Sequence, residues 1–421
     1  MCDTVAGELI VCFHEKDTAA AALIEDILAK QISHVEVVEH LHERIVKAQL
    51  TPRQTKYRFY RLRVPPGQEN YKINFLQFYY KHHVLNTIAG GGMDPEVMNW
   101  SNNHLQVVPN SILALRQSGS VPSVGFSKTA THDDYKKICG FSSGYSPTVP
   151  VTPKRVQVLD SGLDPASIIV PSSNVNIVDH SQPTTVDDDL GHGTAVAEVI
   201  HDLCPSAEFA ICKVADQDGR ASEWDTIMAL GIDTQSQIIN ISLAFGLDDI
   251  SCPVCGRESR ATRSAVFENL LKDLHDDPDG PLIVAAAGNG ALTELAFPAR
   301  FDNVIAIESV NKARALSRFT NRSTYDQTGA NHNYVFVLPG GEEDANANAT
   351  EYIGTSTSGE QFHGTSFAAA YASGLIAEFW SQAQHSSKDR TAILAELRAN
   401  ADTSVPNYTT STHGNGLMVF K

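Results

Sequence analysis

The chain has 421 residues, 42% of them apolar, enough to bury a large core and to form two or three domains of ordinary size. Its formal net charge is -17, and residues 1 to 110 carry 11 Lys and Arg against 12 Asp and Glu, so nearly all the acidity lies in the remainder. An acidic body without a Lys/Arg-rich stripe repels phosphate backbones and anionic lipid, which argues against a nucleic-acid partner.

The opening MCDTVAGELIVCFHEKD has no basic leader, and its apolar run is too short for a secretion signal and flanked by acidic residues. ELIVCFH (8–14) predicts a strand, TAAAALIEDILAKQI (18–32) a helix, YRFYRLRVP (57–65) a strand and NFLQFYYKHHVL (74–85) a second amphipathic helix. DPEVMNWSNNHLQVVPN (94–110) reads as a closing strand and exit loop. The order is β-α-β-α in a compact α/β unit. Between about 110 and 153 periodicity fades while Ser, Gly and Pro accumulate in QSGSVPSVGFS and GFSSGYSPTVPVTP, the composition of a linker.

From residue 156 strand-like and helical patterns alternate: VQVLD, AVAEVIHDL, FAICKV, ASEWDTIMALGI, IINISLA, SAVFENLLKDL and LIVAAAGN. Such alternation specifies βαβ crossovers and a buried parallel sheet with helices on both faces. The longest apolar runs, such as PLIVAAAG, fall far short of the ~18 residues of a membrane span. Seven cysteines, an odd number spread thinly, fit reduced thiols better than a disulfide framework. The protein is therefore expected in the cytoplasm, away from membranes.

Four residues stand where such sheets build sites. Asp160 ends VQVLD and precedes Ser161-Gly162; His192 lies between Gly191 and Gly193 at a helix entrance; Asn289 ends a strand before a Gly-flanked turn; Ser366 opens an apolar helix. Read alone, each has an ordinary alternative: a turn Asp, a surface His, an Asn in a left-handed turn, a capping Ser. Together, in the order Asp, His, Asn, Ser along one doubly wound sheet, they specify an acid–base–nucleophile set. The Asp…His…Ser order is that of subtilisin, not of chymotrypsin or the α/β-hydrolases. GFSSG (140–144) matches the hydrolase elbow G-x-S-x-G, but a Lys-rich helical stretch precedes it and a Pro-rich run follows, where an elbow requires a strand and a helix.

VLDSG, GHGTAVA, NISLA, AAAGN and GTSFA resemble the Asp, His, substrate-strand, oxyanion and Ser blocks of the subtilase family. FPARFDNVIAIESVN, LSRFTN, VFVLPGG and HGNGLMVF extend the resemblance to the C-terminus, and EVMNWSNNHLQV is similar to the strand by which the family's prodomain exits toward the active site. Ala195, Glu198 and Ala370 depart from the family's His, Gly and Pro, and Ala244 adds a methyl where a Gly is usual. None of these positions belongs to the triad.

The resemblance implies an α/β, doubly wound parallel sheet, subtilisin-like catalytic domain over 154–421. It implies a small α/β, ferredoxin-like prodomain and inhibitor over 1–108, and a linker with a processing site over 109–153. Asp160, His192 and Ser366 are then the triad and Asn289 the oxyanion donor, with no cofactor. Ser242, Leu243 and Ala244 are the edge to which a peptide substrate adds as a strand. Asp188 and Glu294 are expected to bring carboxylates near the cleft and favour basic substrate side chains, although solvated surface acids are the commoner outcome. Cys252-Pro253-Val254-Cys255 has the spacing of half a zinc site; with no second pair in the sequence, a redox-sensitive pair or two inert thiols fit as well. Implied partners are protein or peptide substrates, the chain's own prodomain and a regulatory protein; the other reading is a catalytically silent scaffold serving as a binding module.

Overall fold

The computed structural model describes residues 4–30, 32–88, 105–114, 126–141, 145, 152–179, 181–245, 264–323, 334–356 and 359–421. The first elements are β1 (Thr4–His14), α1 (Thr18–Leu28), β2 (Glu36–His40), α2 (Leu41–Lys47), β3 (Tyr57–Arg63), α3 (Glu69–Ile88) and β4 (Leu105–Ala114). Then come β5 (Phe126–Lys128), α4 (Ala130–Ile138), β6 (Arg155–Asp160), β7 (Ser173–Asn176), α5 (His192–Leu203), β8 (Glu208–Lys213), β9 (Arg220–Ser222) and α6 (Glu223–Gly231). The rest that matter here are β10 (Ile238–Ile241), β11 (Ala244–Phe245), α7 (Ala265–Asp276), β12 (Leu282–Ala286), β13 (Ile305–Val310), β14 (Val335–Pro339), α8 (Thr365–Ser381) and α9 (Arg390–Asn400). Contacts divide the chain into one unit of residues 1–112, 222–233 and 251–274 and another of 113–221, 234–250 and 275–421.

In the first unit the strands lie β4-β1-β3-β2, every neighbouring pair antiparallel. β3 buries apolar side chains on both faces, Tyr57 and Phe59 on one and Leu62 on the other, while Arg58 and Arg61 stay partly exposed. Asp17 caps α1, its Oδ1 accepting the Ala20 N–H at 2.9 Å, and Ala20, Leu23, Ile24 and Ile27 turn one face onto Leu9, Val11 and Phe13 of β1. The β-α-β-α expectation holds, with additions. β2 and α2 carry too few apolar residues, Leu41 and Ile45 being the fully buried ones, to raise a periodic signal. The closing strand starts at Leu105, and residues 94–104 of the expected one lie outside the described residues.

Two helices from much later in the sequence complete this unit. Gly231 of α6 packs on Leu41 and Ile45, where a Cβ would stand 3.1 Å from Leu41 Cδ2. Arg53 Nε donates to the Leu230 carbonyl at 3.2 Å, the Asp233 N–H to Thr51 at 2.8 Å, and the Trp224 N–H to Asn110 Oδ1 at 2.9 Å. On α7, Asp273 accepts the Lys56 N–H at 2.8 Å.

The second unit is built on a seven-stranded sheet, β14-β13-β12-β10-β6-β8-β7, parallel throughout. From β6 the chain goes to the edge strand β7, steps back to β8 beside β6, then crosses to β10 on the other side of β6 and runs outward from there through β12, β13 and β14. The β6/β10 boundary is thus the topological switch, where sites form at the carboxyl ends of strands. α5 and α8 pack on each other, and every side chain of α8 is buried, as its Ala-rich sequence requires.

Residues 126–141, expected within a linker, form β5 and α4 and join this core. Tyr135, Cys139 and Phe141 are buried, β5 pairs antiparallel with Gly354–Ser356, and the His132 ring bonds both the Tyr371 hydroxyl and Asp202 Oδ2. The Asp and Lys residues on the outer face of α4 hid its apolar stripe. Of GFSSG, Phe141 is buried in the core while 142–144 lie outside the described residues, as do Cys252 and Cys255. No described helix is long and apolar enough to cross a membrane.

Candidate active site

β6 ends at Asp160, whose side chain is 1% exposed and whose Oδ1 lies 2.8 Å from His192 Nδ1. The same oxygen accepts the Ser161 N–H at 2.8 Å. His192 is the first residue of α5, reached through Gly191 at φ +73°. Gly193 must lack a side chain, because a Cβ there would sit 2.4 Å from the Gly162 carbonyl oxygen. That contact lets the helix start close enough to the strand end for Asp160 and His192 to meet.

Burial works against a charged His192 imidazole. The charge and hydrogen bond of Asp160, with the charges of Asp188 and Glu360, outweigh it, so the ring is held above the ordinary histidine value.

α8 begins with Thr365 and Ser366 after Gly364. The Ser366 N–H lies in the first turn, where a helix offers no carbonyl partner, at the positive end of its dipole. Ser366 Oγ donates to the Ser242 carbonyl at 3.2 Å, and Ser242 Oγ to the Ser366 carbonyl at 3.1 Å, tying the start of α8 to the end of β10. The His192 ring lies 5.2 Å from that of Phe367, the neighbour of Ser366. In this structure the Ser366 hydroxyl is given to Ser242, and the hydrogen bond described for the imidazole is the one to Asp160.

Asn289 follows β12. Its Oδ1 accepts both the N–H (2.8 Å) and the hydroxyl (2.7 Å) of Thr365, which leaves Nδ2 on the side of Gly364. A Cβ on Gly364 would come within 2.9 Å of that nitrogen, so the glycine, at φ +136°, keeps a donor-lined space open beside Ser366. One edge therefore gathers a buried carboxylate–imidazole pair, a hydroxyl on a helix N-terminus and an amide donor, the parts of an acyl-transfer site.

Of the expected substrate edge, Ser242 is 3% exposed and Leu243 fully buried, so these two offer backbone; Ala244 and Phe245 pair antiparallel with Ala114 and Leu113 at the end of β4. The two acids expected to select basic substrates behave otherwise. Asp188 is buried, and five internal donors already occupy its oxygens, leaving it no capacity for a substrate cation. Glu294 is a solvent-exposed acid, the commoner outcome, in a surface ion pair with Arg300 at 2.6 Å. Ser161 and Thr365 escaped the sequence reading: a hydroxyl beside a site residue looks like any turn or capping residue until its partners are known.

A model described as the subtilase family matches residues 153–416. The chain is 28% identical over 242 residues to the major intracellular serine protease of Bacillus subtilis (strain 168), covering 53% of this chain and 67% of that protein. It is 26% identical over 289 residues to the intracellular serine protease of Paenibacillus polymyxa, covering 63% and 78%. Among solved structures, that of the epidermin leader peptide processing serine protease from Staphylococcus aureus superposes with a TM-score of 0.60 at 17% identity, over 98% of this chain and 97% of that one.

Proposed function

This chain belongs to the subtilase family and is a subtilisin-like serine endopeptidase; from that premise we propose that Asp160, His192 and Ser366 are its triad, Asn289 its oxyanion donor, and residues 1–108 its own inhibitory prodomain. The observation that carries the catalytic assignment is the buried 2.8 Å Asp160–His192 pair at the edge where Ser366 opens α8.

Ser366 Oγ attacks the scissile carbonyl carbon as His192 Nε2 takes its proton, and the C–O bond forms. The carbonyl oxygen becomes an oxyanion held by Asn289 Nδ2 and the Ser366 N–H. As the C–N bond breaks, the imidazolium returns the proton to the leaving amine; water then repeats the sequence to release the acid and restore Ser366. Asp160 keeps the Nδ1–H tautomer in place and stabilises the imidazolium without taking the proton. Peptide or protein substrates add as a strand at Ala244.

Self-inhibition is supported by the pairing of Leu113–Ala114 with Ala244–Phe245, which fills that same edge with the chain's own backbone. The hold of the N-terminal fold on α6 and α7 gives it further support. Action within the cell is supported by the two relatives named as intracellular proteases. Intact-mass analysis of wild type beside Ser366→Ala tests both parts. We expect the wild type alone to lose its N-terminal region and to be labelled by a fluorophosphonate. A folded wild type that neither shortens nor labels would mark the silent scaffold instead.

A further inference from the structure

We propose that Asp188 is a positioning residue of the catalytic site, locking the end of β6 to the first turn of α5 so that Asp160 and His192 keep their register, and that it takes no part in binding substrate. The inference rests on the protease reading, but it comes from a separate set of contacts.

Asp188 Oδ1 accepts the Ser161 hydroxyl at 2.7 Å and the N–H groups of Leu190 and Gly191 at 3.1 and 2.9 Å. Its Oδ2 accepts the Thr194 N–H at 2.8 Å and the Thr194 hydroxyl at 2.6 Å. These donors come from the two segments that deliver the acid and the base: Ser161 follows Asp160, while Leu190, Gly191 and Thr194 bracket His192. One carboxylate thus spans the joint between strand and helix.

Ser161 extends the lock. Its oxygen lies 3.2 Å from Asp160 Oδ1 and accepts the Gly193 N–H at 3.0 Å. A hydroxyl has one proton, and the 2.7 Å contact directs it to Asp188, which leaves the Ser161 lone pairs for Gly193. With Asp188 neutral or absent, Ser161 has reason to turn its proton to Asp160 and loosen the helix entrance.

An amide cannot copy this arrangement. In Asp188→Asn, one end of the side chain becomes a donor that meets N–H groups already donating, and the negative charge that helps hold His192 above its usual value is lost. Ser161→Ala removes the bridge and keeps the carboxylate.

The test measures kcat, KM and the pH profile of kcat/KM with a peptide substrate, and titrates His192 by NMR in ring-labelled full-length chain carrying Ser366→Ala. We expect Asp188→Asn to leave KM within about twofold and to cut kcat by about a hundredfold, the scale of a small misplacement of reacting groups. Its His192 titration and the acid limb of kcat/KM should move to lower pH, and Ser161→Ala should lower kcat less, carrying the test should Asp188→Asn not fold. A raised KM with a changed preference for basic residues, or a lowered melting temperature with kcat, pH profile and His192 titration unmoved, would overturn the proposal. A wild type without activity would count against the protease reading alone, since the NMR titration still decides the role of Asp188.

Discussion

The Asn289 side-chain oxygen is committed to Thr365, and that decides what its other end can do. With Nδ2 fixed beside Gly364, the amide is a preset donor that needs no reorganisation when charge develops. Asn289→Ala should therefore lower kcat by about 10²–10³-fold with little change in KM, the magnitude known for one lost oxyanion donor in a subtilisin. The raised His192 value has its own consequence. The base must be neutral to take a proton, so kcat/KM should climb with pH through a midpoint above the ordinary histidine value near 6.5, and a midpoint at or below it would contradict the Asp160–His192 coupling. That Asp160, His192, Asn289 and Ser366 would gather at one edge of the sheet was legible in the sequence because each ends a strand or opens a helix of one doubly wound pattern. The surroundings of Asp188 and Glu294 were not: a carboxylate's spacing from His192 or Asn289 says nothing about whether backbone N–H groups or an arginine have claimed it.

The first residue of α6 shows what burial does to an element's end. Glu223 is fully buried and accepts the Ser264 hydroxyl; burial pushes its carboxyl up to about 7, against the smaller opposing pull of hydrogen bonds from Ser264 and Ser111. The folded state holds the proton more tightly than the unfolded chain, whose carboxyl titrates near 4.3, so stability should fall as pH rises from about 4.3 through about 7. In chain carrying Ser366→Ala to prevent digestion, adding Glu223→Gln should raise the melting temperature at pH 8 relative to the same measurement at pH 4. An equal effect at both would remove Glu223 as the cause. Elements were legible where periodicity was strong, as in the parallel strands β6, β10 and β12 and the small-residue helix α8. They were lost where it was diluted: β2 and α2 bury few apolar side chains, and the charged face of α4 masked Tyr135. What a sequence pattern cannot report is that α6 and α7 share a unit with the N-terminal fold, since those contacts join residues 114 to 217 positions apart.

For the whole molecule, the position of α4 limits where processing can fall. A cut after Phe141 would strip Tyr135 and Phe141 from the core and His132 from Asp202, whereas a cut upstream of Phe126 leaves β5 paired and the core closed. The mature fragment should therefore begin before Phe126 by intact mass. Truncation to residue 142, removing residues of the kind that cost about 3–5 kcal/mol each when a buried aromatic is deleted, should yield a body that does not fold.

On the self-inhibited reading proposed above, the short ladder between Leu113–Ala114 and Ala244–Phe245 would also set the kinetic order of awakening. A strand delivered by its own tether competes at a local concentration far above that of any free peptide, commonly about millimolar for short connections. Dilution cannot loosen such a latch, and the first cut, made within a single molecule, should proceed at one rate whether the protein is at nanomolar or micromolar strength; a rate that scales with protein would mean that one copy opens another.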